Sequence, residues 1–251
     1  MYNRDLLKKV YNDTLEYALD ISKTNILLPS KKLKHTKLNI IDKYKKKFNT
    51  TNIQVFNEDV IKSTIYLYNK LQNDILVLNL ASKKQFGGGV INGAMAQEEE
   101  LFRKTSYGLH YGKELYPLKL NEFVFTPKVF VLKDENYNRL NIKNIFTVDM
   151  LAISAIYKPE QINGKLNESD YDLTFKKIET IFKYAIYNDN INLILGALGC
   201  GVFQNPPNEI IEIFNKCIKK YNGYFNNIIF SIKSTNDNNF ELFNKHIIRH
   251  V

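Results

Sequence analysis

The order of apolar and amphipathic segments predicts an α/β protein, a three-layer α/β/α arrangement around a central mixed, mostly parallel sheet with an N-terminal helical extension. Two observations carry this. ILVLNLA (75–81) and INLILGAL (191–198) are continuous apolar runs, the pattern of strands buried on both faces. Amphipathic segments of helical period alternate with such runs along the chain. A third observation sets the organisation: no internal repeat and no Pro/Gly/Ser-rich linker divides the 251 residues. They read as one domain, 1–251, with a helical extension over 1–50 and a core over 51–251.

Each element has its own signal. From Asp5 to Asp20, Leu6, Val10, Leu15 and Leu19 recur at helical intervals with polar residues between them. KKLKHTKLNIIDKYKKKFNT (31–50) is the densest basic run, and its irregular apolar spacing predicts a surface loop or a short helix. NIQVFN (52–57) has strand character, DVIKSTIYLYNKL (59–71) helical, and DILVLNLAS (74–82) is an apolar strand. A Gly-rich turn leads into the helix AMAQEEELFRKTSYG (94–108). FVFTPKVFVL (123–132) predicts two short strands around Pro127, and IFTVDMLAISA (145–155) a buried strand. EQINGKLNESDYD, around 160–172, reads as a surface insertion. A helix over 172–187, the strand 191–198, a helix over 206–221, a strand over 226–232 and a helix over 240–248 complete the chain.

Composition excludes several classes. Hydrophobic residues make up 44% and charged residues 24% of the chain, so neither a disordered nor a fibrous protein fits. The longest apolar stretches fall short of the roughly 18 to 20 residues that span a bilayer. The amino terminus is mixed in charge and lacks the apolar core of a secretory signal, so an intracellular, cytoplasmic setting with no membrane partner is expected. Cys200 and Cys217 form no CxxC pair, and His35, His110, His246 and His250 belong to no ligand cluster; no metal and no cofactor is expected. The formal charge of +9 suits a polyanionic partner. Nearly all of it is Lys in a chain also rich in Asn, Ile and Tyr, which AT-rich coding alone would produce. Nothing heptad-like argues for a coiled-coil dimer, and a monomer is expected.

In sheets of this kind ligands bind where strands run into the following helices. Two loops occupy that position. KKQFGGGVINGAMAQEEE carries Gly87, Gly88 and Gly89, which let backbone approach a ligand, and it opens a helix whose free N–H groups favour anions. GALGCGVFQNPP carries Gly199 and Gly201 ahead of a Pro at a helix start. The common phosphate motif GxxxxGK[ST] is absent, and Gly196, Gly199 and Gly201 show the dinucleotide-binding spacing in reverse. Gln97, Glu98, Glu99 and Glu100 form the first turn after the first loop. Successive residues lie about 100° apart around a helix, so at most two of the glutamates can face the glycines. Acidic residues there are also what the helix dipole favours. A carboxyl beside bound phosphates is suited to act as a general acid, which points to glycosidic chemistry.

GGGVINGAMAQEEE resembles the signature of the poly(ADP-ribose) glycohydrolases, and LGALGCGVFQNPP resembles the matching loop of their bacterial-type members. NRDLLKKVYNDTLEYA, VFNEDVIKS, VLNLAS, FTPKVFVLKDE and NNIIFSIKSTNDNNFELF follow in the same order, so the resemblance covers nearly the whole chain. It implies a macrodomain fold holding ADP-ribose in a cleft, and hydrolysis of ribose–ribose O-glycosidic bonds without a metal. By that resemblance Glu99 is the catalytic acid, and Glu98 hydrogen-bonds the ribose hydroxyls beside the scissile bond. Gly87, Gly88 and Gly89 let the chain approach the terminal ribose and diphosphate, and Gln97 is a further substrate-binding residue. The loop Gly199, Cys200, Gly201, Val202 and Phe203 cradles the diphosphate through its backbone, with Phe203 on the terminal ribose. Asp59 matches the adenine-binding acid of macrodomains. Asn79 is either substrate-facing or a buried asparagine satisfied by backbone.

Two positions depart from the pattern. Phe86 stands where many relatives have proline, and Ser82 replaces an asparagine common in binding macrodomains. These bear on loop conformation and substrate range more than on the chemistry. The implied partner is poly(ADP-ribose) or ADP-ribosylated protein, with ADP-ribose as product. The alternatives are a hydrolase of mono-ADP-ribosyl groups on protein or nucleic acid, and a non-catalytic ADP-ribose reader. The polymer is itself polyanionic, so charge does not separate them. The intact QEE counts against the reader, which has no use for an acid at the anomeric carbon.

Overall fold

The structure is a computed structural model that describes residues 3–35, 43–72, 74–110, 112–234 and 237–249. Part of the basic run, 36–42, and His250 lie outside the described residues. Nine strands and six α-helices are described in the order α1 (Arg4–Ser22), β1 (Lys31–Lys34), β2 (Asn52–Phe56), α2 (Val60–Leu71), β3 (Ile75–Leu80), α3 (Gln97–Lys104), β4 (Glu122–Val131), β5 (Phe146–Ile153), β6 (Gln161–Ile162), β7 (Lys165–Leu166), α4 (Glu168–Tyr187), β8 (Asn192–Leu195), α5 (Pro207–Lys220), β9 (Asn227–Ser231) and α6 (Asn239–His246). Seven strands form a mixed, mostly parallel sheet in the order β1-β4-β5-β3-β8-β9-β2, and β6 pairs with β7 as a separate hairpin. The α/β class and the helical amino terminus read from the sequence are therefore observed. No helix among the described residues is long and apolar enough to cross a membrane.

The chain divides into two compact units, Met1–Leu33 with Asn79–Ile153, and Lys34–Leu78 with Ser154–Val251. In the first, α1 begins at Asn3, whose side chain accepts the Asp5 N–H at 3.0 Å, an N-cap that satisfies one of the free amides of the first turn. Its buried stripe is Leu7, Tyr11, Thr14 and Ala18, flanked by the predicted Leu6 and Val10 on one side and Leu15 and Leu19 on the other; Leu6 and Leu19 are exposed. Thr14, polar by type, can lie in that stripe because it is satisfied inside: its hydroxyl bonds the carbonyls of Val10 (2.8 Å) and Arg103 (2.5 Å). The start of the basic run is strand β1, where a loop or short helix was expected.

β4 is one strand and not two. It pairs antiparallel with β5, and the register shifts between Thr126 and Val129, so Pro127 sits in a bulge that absorbs its missing N–H. Lys128, at φ 52°, donates its N–H to Asp149 Oδ1 at 2.9 Å. α3 is shorter than the 94–108 expected. It starts only at Gln97, after Gly93 at φ +70° and an extended Ala96, and it ends where Thr105 bridges to Val131.

The second unit holds the parallel ladders. β2 pairs with β9 from Asn52↔Asn227, and β8 with β9 from Asn192↔Asn227. The three asparagines bond side chain to side chain, Asn52 to Asn227 at 2.8 Å and Asn227 to Asn192 at 2.9 Å. Phe182, Phe214, Phe225 and Phe230 are fully buried around these strands. The segment read as a surface insertion, 160–172, forms the β6–β7 hairpin and the first turn of α4, capped by Asn167.

Candidate active site

The first glycine loop runs from the end of β3 to the start of α3, within the first unit. Three successive glutamates leave the first turn of α3 in different directions, as the helical period requires. Glu98 turns to the strand end and the near side of the loop. Its Oε2 accepts the Ser82 N–H at 2.7 Å, and its Oε1 accepts from Asn79 Nδ2 at 3.2 Å and from the Gly87 N–H at 3.3 Å. Glu99 turns to the far side, where Oε1 accepts the Gly89 N–H at 2.8 Å and Oε2 the Ala96 N–H at 3.1 Å. The second of these is the reach-back half of a capping box. Glu100 leaves the loop altogether for Arg103 and Lys104, at 2.6 and 2.7 Å.

The loop can take this path because of its glycines. Gly88, at φ +55°, lies against both carboxyls: a Cβ there would sit 2.5 Å from Glu99 Oε1 and 3.0 Å from Glu98 Oε2. Gly87, at φ +79°, lies on the ring of Phe102, which a Cβ would meet at 2.8 Å. Phe86 wedges the start of the loop in an aromatic cluster, its ring centroid 4.7 Å from Phe102 and 5.2 Å from Tyr107, both edge-on. Gln97 secures the helix to the strand, its side-chain oxygen accepting the Leu80 N–H at 2.9 Å. Asn79 is fully buried, and its Nδ2 donates to the Glu98 carboxyl.

Burial pushes the Glu98 carboxyl up to about 7, against the opposing effect of its N–H donors and with the like charge of Glu99 adding to the rise. The resemblance assigns the acid to Glu99; the carboxyl that the protein itself raises is that of its neighbour Glu98. At Glu100 burial also pushes up, but the cations of Lys104 and Arg103 more than offset it and hold the carboxyl below its usual range. Tyr137 donates its hydroxyl to the same carboxylate, at 2.8 Å from Oε2. This cluster was not anticipated. Its only sequence signal was an arginine three residues after Glu100, one of four in the chain.

The second glycine loop lies in the second unit. Gly199, at φ +77°, packs so closely on Ala155 and Asn205 that a Cβ would lie 2.6 Å from each. Asn205, which sequence reading passed over, holds the loop from inside: Nδ2 donates to the carbonyls of Ile156 (2.7 Å), Gly199 (3.2 Å) and Phe203 (3.2 Å). The N–H groups of Gly201, Val202 and Phe203 take no acceptor among the described residues. Burial holds the Cys200 thiol above its usual range, which disfavours the thiolate. Phe203 meets Tyr157 edge-on at 5.3 Å. Asp59 caps α2, with Oδ1 accepting the Ile61 N–H at 2.8 Å. The structure therefore brings Asn79, Gly87, Gly88, Gly89, Gln97, Glu98 and Glu99 together in one unit, and gathers Gly199 to Phe203 in the other.

Solved structures share this architecture. Poly(ADP-ribose) glycohydrolase from Thermomonospora curvata superposes with a TM-score of 0.78 at 20% identity, over 97% of this chain and 98% of that one. The same enzyme bound to the inhibitor ADP-HPD gives 0.75 at 20% identity, over 96% and 97%. Poly(ADP-ribose) glycohydrolase from Deinococcus radiodurans in complex with ADP-ribose gives 0.73 at 19% identity, over 91% and 96%. At these identities the likeness is one of fold. No curated protein matches the chain. The family model of the microbial-type PARG catalytic domain matches residues 8–134, half of the chain and the stretch that carries Asn79, the three glycines and the glutamates. The chain belongs to the microbial-type poly(ADP-ribose) glycohydrolase (PARG) family.

Proposed function

We propose that the chain hydrolyses the ribose–ribose O-glycosidic bonds of poly(ADP-ribose), releasing ADP-ribose, with Glu99 as general acid and base. The observation that carries this reading is the convergence of two carboxyls on Gly88 while the third glutamate is drawn away by Arg103 and Lys104. Glu99 is held by two backbone donors, Gly89 and Ala96, so its carboxyl has a fixed position, and no side chain among the described residues bonds it. A general acid needs that positioning before anything else.

In the reaction the bond between the anomeric carbon and the 2′-oxygen of the preceding ribose breaks. Its electron pair goes to that oxygen, which takes the Glu99 proton, and the anomeric carbon gains oxocarbenium character beside the substrate's own diphosphate. Glu99, now a carboxylate, accepts a proton from water as the water oxygen bonds the anomeric carbon, which returns Glu99 to its starting form. Glu98, oriented by Ser82, Gly87 and Asn79, is assigned to the ribose hydroxyls next to the scissile bond. Three unengaged N–H groups in succession at Gly201, Val202 and Phe203 are the donor set a phosphate uses, and they support the diphosphate role of that loop.

The test is release of free ADP-ribose from automodified poly(ADP-ribosyl)ated protein, with mono-ADP-ribosylated protein and nucleic acid alongside. Polymer loss with little cleavage of the mono-modified substrates is expected. Cleavage of the mono-modified substrates alone would move the activity to that class, and tight ADP-ribose binding with no cleavage would make the protein a reader.

A further inference from the structure

One carboxylate closes the loop from Gly89 to Ala96 at both ends, since Glu99 Oε1 takes the first N–H and Oε2 the second. The proposed reaction requires a proton on one of these oxygens. A protonated carboxyl oxygen becomes a donor and has less capacity to accept an N–H. In the acid form, therefore, one of the two bonds that fix Glu99 against its loop is weakened at the moment when its position matters. Something else must hold the loop.

Arg103 stands in that place. It is fully buried in the last turn of α3, and its Nη2 donates to the Ala94 carbonyl at 2.7 Å and to Glu100 Oε1 at 2.6 Å. Ala94 in turn donates its N–H to the Gly89 carbonyl at 3.1 Å. A continuous line of hydrogen bonds thus runs from Arg103 through Ala94 and Gly89 to Glu99. The guanidinium is aimed by its surroundings. Its partner Glu100 is fixed by Lys104 Nζ at 2.7 Å and by the Tyr137 hydroxyl, and the Arg103 carbonyl is anchored on Thr14 of α1. Nε and Nη1 have no partner among the described residues, so the side chain's hydrogen bonding is concentrated on Ala94 and Glu100. The loop is backed on the same helix, for a Cβ on Gly93 would lie 2.5 Å from the Arg4 carbonyl oxygen.

We propose that Arg103 is a positioning residue for the acid: it holds the Ala94 carbonyl, and with it the Gly89–Ala96 loop, while Glu99 carries the proton. It acts through Glu99, and the inference rests on the reading that Glu99 is the acid. A residue serving stability alone would lower the amount of folded enzyme without changing kcat per folded molecule. A positioning residue lowers kcat in the folded enzyme and leaves substrate binding nearly untouched.

The test compares Arg103→Met, which removes both bonds, Arg103→Lys, which keeps the charge and can reach one acceptor at a time, and Tyr137→Phe, which removes a partner of Glu100 without touching Ala94. Two readouts are taken on folded protein, the split between kcat and KM on polymer, and hydrogen exchange at the amides of Gly89 and Ala96. Arg103→Met is expected to lose on the order of 100-fold in kcat, the size of effect a misplacement of about 1 Å produces, with KM within about threefold. Arg103→Lys recovers part of the loss, and Tyr137→Phe, which loosens Glu100 but leaves the Arg103–Ala94 bond in place, loses clearly less than Arg103→Met. The two amides exchange at least about tenfold faster in Arg103→Met while those of β5 are unchanged, as a local opening requires. Unchanged exchange at both amides, a wild-type kcat, or an equal loss in Tyr137→Phe would overturn the proposal. If Arg103→Met does not fold, Arg103→Lys carries the same comparison. The exchange readout needs no turnover, so a wild type without glycohydrolase activity would refute the functional reading while exchange still decided whether Arg103 holds the loop.

Discussion

Glu98 and Glu99 are consecutive residues of one helix, yet their carboxyls meet across a single glycine, with Glu99 Oε1 and Glu98 Oε2 at 2.5 and 3.0 Å from where a Cβ of Gly88 would be. A methyl group at that position cannot be accommodated unless both carboxyls move. Gly88→Ala also places a side chain at φ +55°, which costs about 1 kcal/mol in the left-handed region. The expected outcome is a folded protein, slightly less stable, whose ADP-ribose release falls by about 100-fold or more. Gly164→Ala, at φ +72° with open space around the added carbon, is the matched control for stability. Thermal unfolding and turnover of the two variants, measured together, check this.

The Glu98 carboxyl gives the chain a pH signature. Its folded value, about 7, lies above the usual 4.5, so the folded state binds this proton more tightly than the unfolded state. The stability it contributes is complete below about 4.5 and is lost as pH rises through about 7, a change on the order of 3 kcal/mol. Glu100 and Glu179, whose carboxyls are held below their usual range, act with the opposite sign and at lower pH. Unfolding by denaturant between pH 5 and pH 8 should therefore show a fall in stability that is absent in Glu98→Gln. An identical slope in the two proteins would remove burial of an ionisable Glu98 from the account.

Much of the fold and of the site was legible in the sequence because the signals were local. Apolar runs at 75–81 and 191–198 became β3 and β8, and the QEEE turn after three glycines became the head of α3. What escaped was decided by partners distant in sequence. Thr14 lies on the buried face of α1, where a polar residue was not expected, because its hydroxyl finds the carbonyl of Arg103, 89 residues away. Strand β1 could not be read from a run of lysines, since an edge strand carries charge and shows no alternation. The ion cluster of Glu100, Arg103, Lys104 and Tyr137 looks in sequence like an ordinary solvated helix face, and only folding shows that Arg103 and Lys104 are buried.

Asn205 offers a test in the second unit that is independent of the glutamates. One amide nitrogen serves three carbonyls and lies under Gly199, so Asn205→Ala leaves the loop from Gly199 to Phe203 without its internal tie. A loss of about 1–3 kcal/mol in stability follows from unsatisfied buried carbonyls. ADP-ribose affinity should fall by about tenfold or more as the loop's free N–H groups lose their fixed positions. Calorimetric titration with ADP-ribose measures it. Wild-type affinity in a destabilised Asn205→Ala would separate the loop from the ligand.

The central claim is that Glu99, and not its neighbour, moves the proton. Single-turnover release of ADP-ribose from polymer, compared among wild type, Glu99→Gln and Glu98→Gln with ADP-ribose binding measured in each, tests it most directly. The account predicts a loss of about 10²–10⁴ in rate for Glu99→Gln, the range for removal of a general acid and base, with ADP-ribose still bound. Near wild-type release by Glu99→Gln, with the rate abolished in a folded Glu98→Gln that still binds ADP-ribose, would contradict it and assign the proton to Glu98.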